Sequence, residues 1–134
     1  MQPWVFLLLL ACAYLVFRST TEYFRVSDPL LRELREQLSV LDDRLRDVQI
    51  YEGNKSYTVN KKRVYICLKD KNGRYYNRNM LVYVICHEYA HLLCDENHHT
   101  DKFYDIFQDL LERAAKRGLY NPSIVPLENY CGMH

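Results

Sequence analysis

Residues 3–17, PWVFLLLLACAYLVF, run for fifteen positions without a charge. Such a run crosses a bilayer, is removed as a leader, or fills a core. A span needs about 17–25 residues. Extension through Ser19, Thr20 and Thr21 supplies that length, and Trp4 and Tyr23 stand where interfacial aromatics belong. Ala11-Cys12-Ala13 has the small-x-small form of a cleavage site. However, Met1-Gln2 carries no Lys or Arg, and the run continues apolar to Phe17. The sequence therefore predicts an uncleaved transmembrane anchor over residues 1–24. Arg18, Arg25, Arg32 and Arg35 follow the run and no basic residue precedes it, so the positive-inside rule places the remainder in the cytosol.

The chain has 134 residues, which leaves room for one ordinary domain behind the anchor. Apolar residues at 49% and charged residues at 26% exclude a disordered chain. Lys+Arg of 18 against Asp+Glu of 17 excludes a polycationic nucleic-acid binder. The five cysteines, 12, 67, 86, 94 and 131, form no C-x-x-C and cannot all pair within one chain. They read as buried or half-buried free thiols in a reducing compartment.

Residues 25–50 read as a separate segment, with one amphipathic helix over 28–50. Ser27 or Asp28 can cap it, and Pro29 suits its first position. Leu31, Leu34, Leu38, Leu41, Leu45 and Val48 recur at alternating spacings of three and four. This stripe either forms a homodimer seam or packs on the downstream domain. About three heptads is marginal for a coiled coil, which favours packing.

Residues 51–134 carry the chemistry. Arg63–Lys69, RVYICLK, reads as a strand, Asp70–Gly73 as a turn, and Arg74–Tyr76 as a short return strand. A helix is expected from Asn77 or Asn79 to Leu93. A polar loop follows over 95–100. Thr100 then caps a second helix with Phe103, Phe107, Leu110, Leu111 and Ala114 on one face, closed by Gly118.

The first helix contains His87-Glu88-Tyr89-Ala90-His91. One helical turn separates the histidines, so both imidazoles can converge on one ion. Glu88 is rotated by about 100° from His87 and can reach metal-bound water. Three ligands and an open position suit hydrolytic zinc, with Glu88 moving the water proton to the leaving amine. The metzincin extension would need Gly and His where Cys94 and Asn97 stand. Glu112 is a possible third ligand but lies off the inward face of its helix. His98 and His99 both lie close enough to reach back, and spacing does not choose between them. Cys94 reads as core.

His87-Glu-Tyr-Ala-His91, seven intervening residues, then His99-Thr-Asp-Lys-Phe103 resembles the WLM-type metallopeptidases, relatives of the SprT-like proteases. The resemblance covers about residues 51–134. Asn129-Tyr-Cys-Gly-Met133 is similar to the tail of small, membrane-anchored members predicted in large DNA viruses. The resemblance implies zinc held by His87, His91 and His99, with Glu88 as general base. His98 departs from the family, whose members often have a small residue there.

The expected fold is α+β: a minimal zincin-like domain over 51–134, with a small sheet over the active-site helix. An edge strand within 62–69 would bind an extended protein or peptide substrate by strand addition. The competing readings are a non-catalytic zinc-binding interaction module on a membrane anchor and a DNA-associated protease. A purely structural zinc site has no need of Glu88. Lys61-Lys62-Arg63 is the only support for DNA, and nucleic acid is not expected as a partner.

Overall fold

The structure is a computed structural model that describes residues 2–26 and 28–132. Expectations resting on Met1, Ser27 and Met133, and on the side chain of Tyr23, lie outside what it describes. Helix α1 spans Pro3–Val26. No residue of its Pro3–Thr20 stretch is buried, and the stretch is apolar and long enough to cross a membrane, a test that a leader sequence also passes. The Thr20 hydroxyl donates to the carbonyls of Val16 at 3.0 Å and Phe17 at 2.8 Å, so it is satisfied inside the helix, as lipid would require.

The segment 28–50 is not one helix. Helix α2 covers Pro29–Leu38, two 3-10 turns follow at Ser39–Leu41 and Asp43–Leu45, and strand β1 begins at Gln49. Asp42 breaks the run. Its backbone is extended (φ −152°, ψ 136°) and its side chain accepts from the Arg44 N–H. The leucine stripe survives because a 3-10 turn also puts residues three apart on one face. All six of its members, Leu31 to Val48, are buried in the core. The stripe lies in the same core cluster as the buried residues of 51–134. Asp28 caps α2 through the Leu30 and Leu31 N–H groups. Arg35 Nε donates to the Val48 carbonyl at 3.0 Å, and Arg113 donates to the Leu41 carbonyl at 3.0 Å.

Three strands form the sheet in the order β1-β3-β2, with β1 Gln49–Glu52, β2 Tyr57–Val59 and β3 Arg63–Ile66. β1 is parallel to β3 and β2 antiparallel to it. The expected edge strand is therefore the central one. Its β-branched, aromatic composition fits that place, with Val64 and Ile66 fully buried. β2 is the antiparallel edge. Gly53, after β1, packs where a Cβ would lie 3.2 Å from both the Tyr65 Cβ and the Lys55 carbonyl oxygen, so a side chain there would be crowded.

Helix α3 spans Arg78–Leu93 and is capped by the Asn77 side chain on the Met80 N–H. It is apolar on nearly every side because the sheet and the following helix pack against it in the core. Helix α4, Asp101–Lys116, is capped by Thr100 and lays Phe103, Phe107, Leu110, Leu111 and Ala114 on α3. Gly118 ends it at φ 73°, a conformation that costs glycine little. The fold is α+β, as expected.

The cysteines are not all free thiols. Cys67, just beyond β3, and Cys131 form a disulfide across 64 residues of sequence, with Cα atoms 6.4 Å apart. Cys12, Cys86 and Cys94 remain free. The tail is also fastened by buried polar groups. Ser56 and Tyr130 share a 2.7 Å hydrogen bond, Tyr130 donates to the Cys67 carbonyl, and the Cys67 N–H donates to Ser56 at 3.0 Å. The Cys131 N–H donates to the Tyr76 hydroxyl at 2.8 Å.

Candidate metal centre

The helical period places His87 and His91 on one face of α3, and the loop after it folds back to deliver His99. One ligand nitrogen from each histidine lies within 4.8 Å of the others, and His91 Nε2 and His99 Nε2 are 3.1 Å apart. Tetrahedral ligation at 2.0–2.1 Å wants nitrogens about 3.3 Å apart, which this cluster reaches with small side-chain shifts. The loop achieves the reversal with His98 in the left-handed region at φ 72°. His98 and Glu112 are not members of the ligand cluster. Cys94, fully buried, is not one either. Cys86 is sealed in the core, where burial pushes its thiol up to about 12.

Phe103 supports the three rings. Its centroid lies 4.4 Å from that of His91, 4.8 Å from His99 and 5.2 Å from His87, and its side chain is fully buried. Phe107 adds an edge contact to His87 at 5.3 Å. An apolar shelf of this kind restricts rotation of the imidazoles and desolvates one side of the cluster. Burial, followed by the neighbouring His87, holds both His91 and His99 below the ordinary imidazole value. Neutral imidazole is the form that binds a metal. His99 is exposed, so the cluster opens to solvent on its side.

Glu88 is buried, at 4% exposure. A buried carboxylate needs hydrogen-bond partners. Oε1 lies 3.3 Å from His87 Nδ1, and Oε2 accepts a 2.8 Å hydrogen bond from the Thr58 hydroxyl on β2. Thr58 is absent from the sequence reading: its strand has three residues and its contact lies 30 positions away. Lys61, Lys62 and Arg63 are exposed at the turn that leads into β3. The Lys61 Nζ donates to the Cys94 carbonyl at 2.6 Å, placing a cation at the C-terminus of α3.

The sequence matches no established family profile. It is 44% identical over 99 residues to Uncharacterized protein 136R of Invertebrate iridescent virus 6, covering 70% of this chain and 56% of that one. It is 43% identical over 88 residues to Uncharacterized protein 042R of Invertebrate iridescent virus 3, covering 65% and 55%. Uncharacterized protein R325 of Acanthamoeba polyphaga mimivirus is 30% identical over 122 residues, covering 84% and 61%. The chain is thus similar to viral proteins and spans little more than half the length of the first two. No solved structure matches it.

Proposed function

We propose that the chain is a membrane-anchored zinc metallopeptidase of WLM-like, zincin-like type. One observation carries the reading: three histidine nitrogens lie within 4.8 Å, open to solvent at His99, beside the hydrogen-bonded carboxylate of Glu88. His87, His91 and His99 would hold the ion and Glu88 would be the general base. Bound zinc supplies a lowered water pKa and a polarised scissile carbonyl. Glu88 accepts the proton of the attacking water and passes it to the leaving amine. β2 is the antiparallel edge nearest the site, and an extended peptide would add to it. A non-catalytic zinc module would have no use for a carboxylate buried and oriented in this way.

The anchor is α1. Four arginines after the apolar run favour a cytosolic domain, whereas a disulfide inside the domain persists in an oxidising compartment. The Cys67–Cys131 disulfide favours the oxidising side for the domain. Thiol labelling of the intact protein separates the two. Cys67 and Cys131 blocked until reduction mark the oxidising side, and immediate labelling of both marks the cytosol.

The function is tested with Glu88→Gln. The nearly isosteric amide keeps the histidines in place but cannot take a proton. Zinc content should stay at one per chain while peptide hydrolysis falls by about 10²–10⁴. Unchanged turnover with zinc present removes Glu88 as the base. Absence of turnover in the wild-type protein favours the zinc module.

A further inference from the structure

Glu88 lies in the middle of α3, where the helix fixes its Cα but not the rotation of its carboxylate. That rotation decides whether an oxygen faces the histidine cluster. The described residues supply a single side-chain donor outside the cluster, the Thr58 hydroxyl, 2.8 Å from Oε2. The same hydroxyl lies 3.4 Å from the Glu88 carbonyl oxygen, so Thr58 sits directly over this residue. With Oε2 occupied, Oε1 is turned toward His87 Nδ1, 3.3 Å away. β2 alternates its side chains: Tyr57 stacks on Tyr65, with centroids 4.8 Å apart, on one face. Thr58 points to the opposite face, toward α3.

We infer that Thr58 is a positioning residue, which holds the Glu88 carboxylate so that Oε1 is presented to the attacking water. The inference rests on the peptidase reading for its role in turnover, but the contact itself does not. Thr58 also belongs to the edge strand to which a peptide would add. A peptide added to β2 would therefore contact the strand that carries the donor setting the base. Binding away from the scissile bond would be expressed in kcat rather than KM alone.

The test uses the full chain in detergent micelles, with Thr58→Val removing the hydroxyl at nearly constant shape and Thr58→Ser retaining it. Fluorescein-labelled casein and one equivalent of zinc provide the activity readout. Thr58→Val should lower kcat by about 10- to 100-fold, the range expected of a misplaced catalytic group. KM should stay within about twofold, zinc content should not change, and Thr58→Ser should restore most of kcat. A second readout needs no turnover. In zinc-free protein followed by circular dichroism, Thr58→Val should lower Tm by several degrees. In a Glu88→Leu background, the same change should have almost no effect. Equal Tm shifts in both backgrounds overturn the contact, and with it the inference. Wild-type kcat in Thr58→Val, or a Thr58→Ser variant as slow as Thr58→Val, overturns the positioning role. Zinc-loaded wild type no faster than Glu88→Gln overturns the peptidase reading and the role built on it, while the Tm coupling still reports the contact.

Discussion

At the tail end of the domain, Tyr130 is 3% exposed, hydrogen-bonded to Ser56 and the Cys67 carbonyl, and followed at once by a disulfide. At the histidine end, His99 is exposed, the preceding His98 sits at a positive φ, and the loop carrying both is polar. Both ends bring together residues distant in sequence. The tail is closed covalently, and its polar groups find partners within the protein. The histidine end keeps its donor atoms directed at a shared point, with Phe103 behind them and solvent in front. The contrast teaches where stability and chemistry lie. The tail is pinned by a covalent link and buried hydrogen bonds, whereas the cluster is left open to solvent at His99.

The largest expected effect that tests this division is Phe103→Ala. Phe103 belongs to both roles, as a fully buried core ring and as the shelf under three imidazoles. Its loss should cost about 3–5 kcal/mol in chemical denaturation and also weaken zinc binding. A stability loss with unchanged zinc affinity would show that the cluster does not depend on its shelf.

Cys131→Ser should come next. Opening a crosslink across 64 residues should cost about 4 kcal/mol by loop entropy, within the usual range of about 2–5. Zinc affinity in the folded protein should be unchanged. A parallel loss of affinity would mean that the two ends are coupled, and the comparison would fail.

Asn77→Ala is the smallest change. It removes the cap on the Met80 N–H at the start of α3, without touching the disulfide or the histidines. About 1 kcal/mol of stability should be lost, read as a lower denaturation midpoint with the zinc stoichiometry unaltered.

The sequence made some of this organisation legible and hid the rest for identifiable reasons. His87 and His91 could be placed because a helix converts a spacing of four into a shared face. α4 was readable from its 3.6-residue period and from Thr100 and Gly118 at its ends. The region 28–50 misled, because its leucine spacing is satisfied by a helix followed by 3-10 turns as well as by one long helix. It conceals β1, and without β1 the central strand β3 reads as an edge. The Cys67–Cys131 pair has no local signature, since only the folded tail brings the two together. Thr58 was hidden for the same reason: its meaning lies in a contact with Glu88, and a three-residue strand has too short a pattern to announce which face it turns inward. The third histidine was narrowed by spacing to His98 or His99, and the cluster takes His99.

X-ray absorption at the zinc edge, on the 134-residue chain loaded with one equivalent of the metal, tests the central claim most directly. The account predicts three imidazole nitrogens at about 2.0–2.1 Å and one further light-atom ligand from solvent. The imidazole signal should fall by one in His99→Ala and stay at three in His98→Ala. A sulfur shell near 2.3 Å, a loss of one imidazole in His98→Ala but not in His99→Ala, or no bound zinc would contradict it.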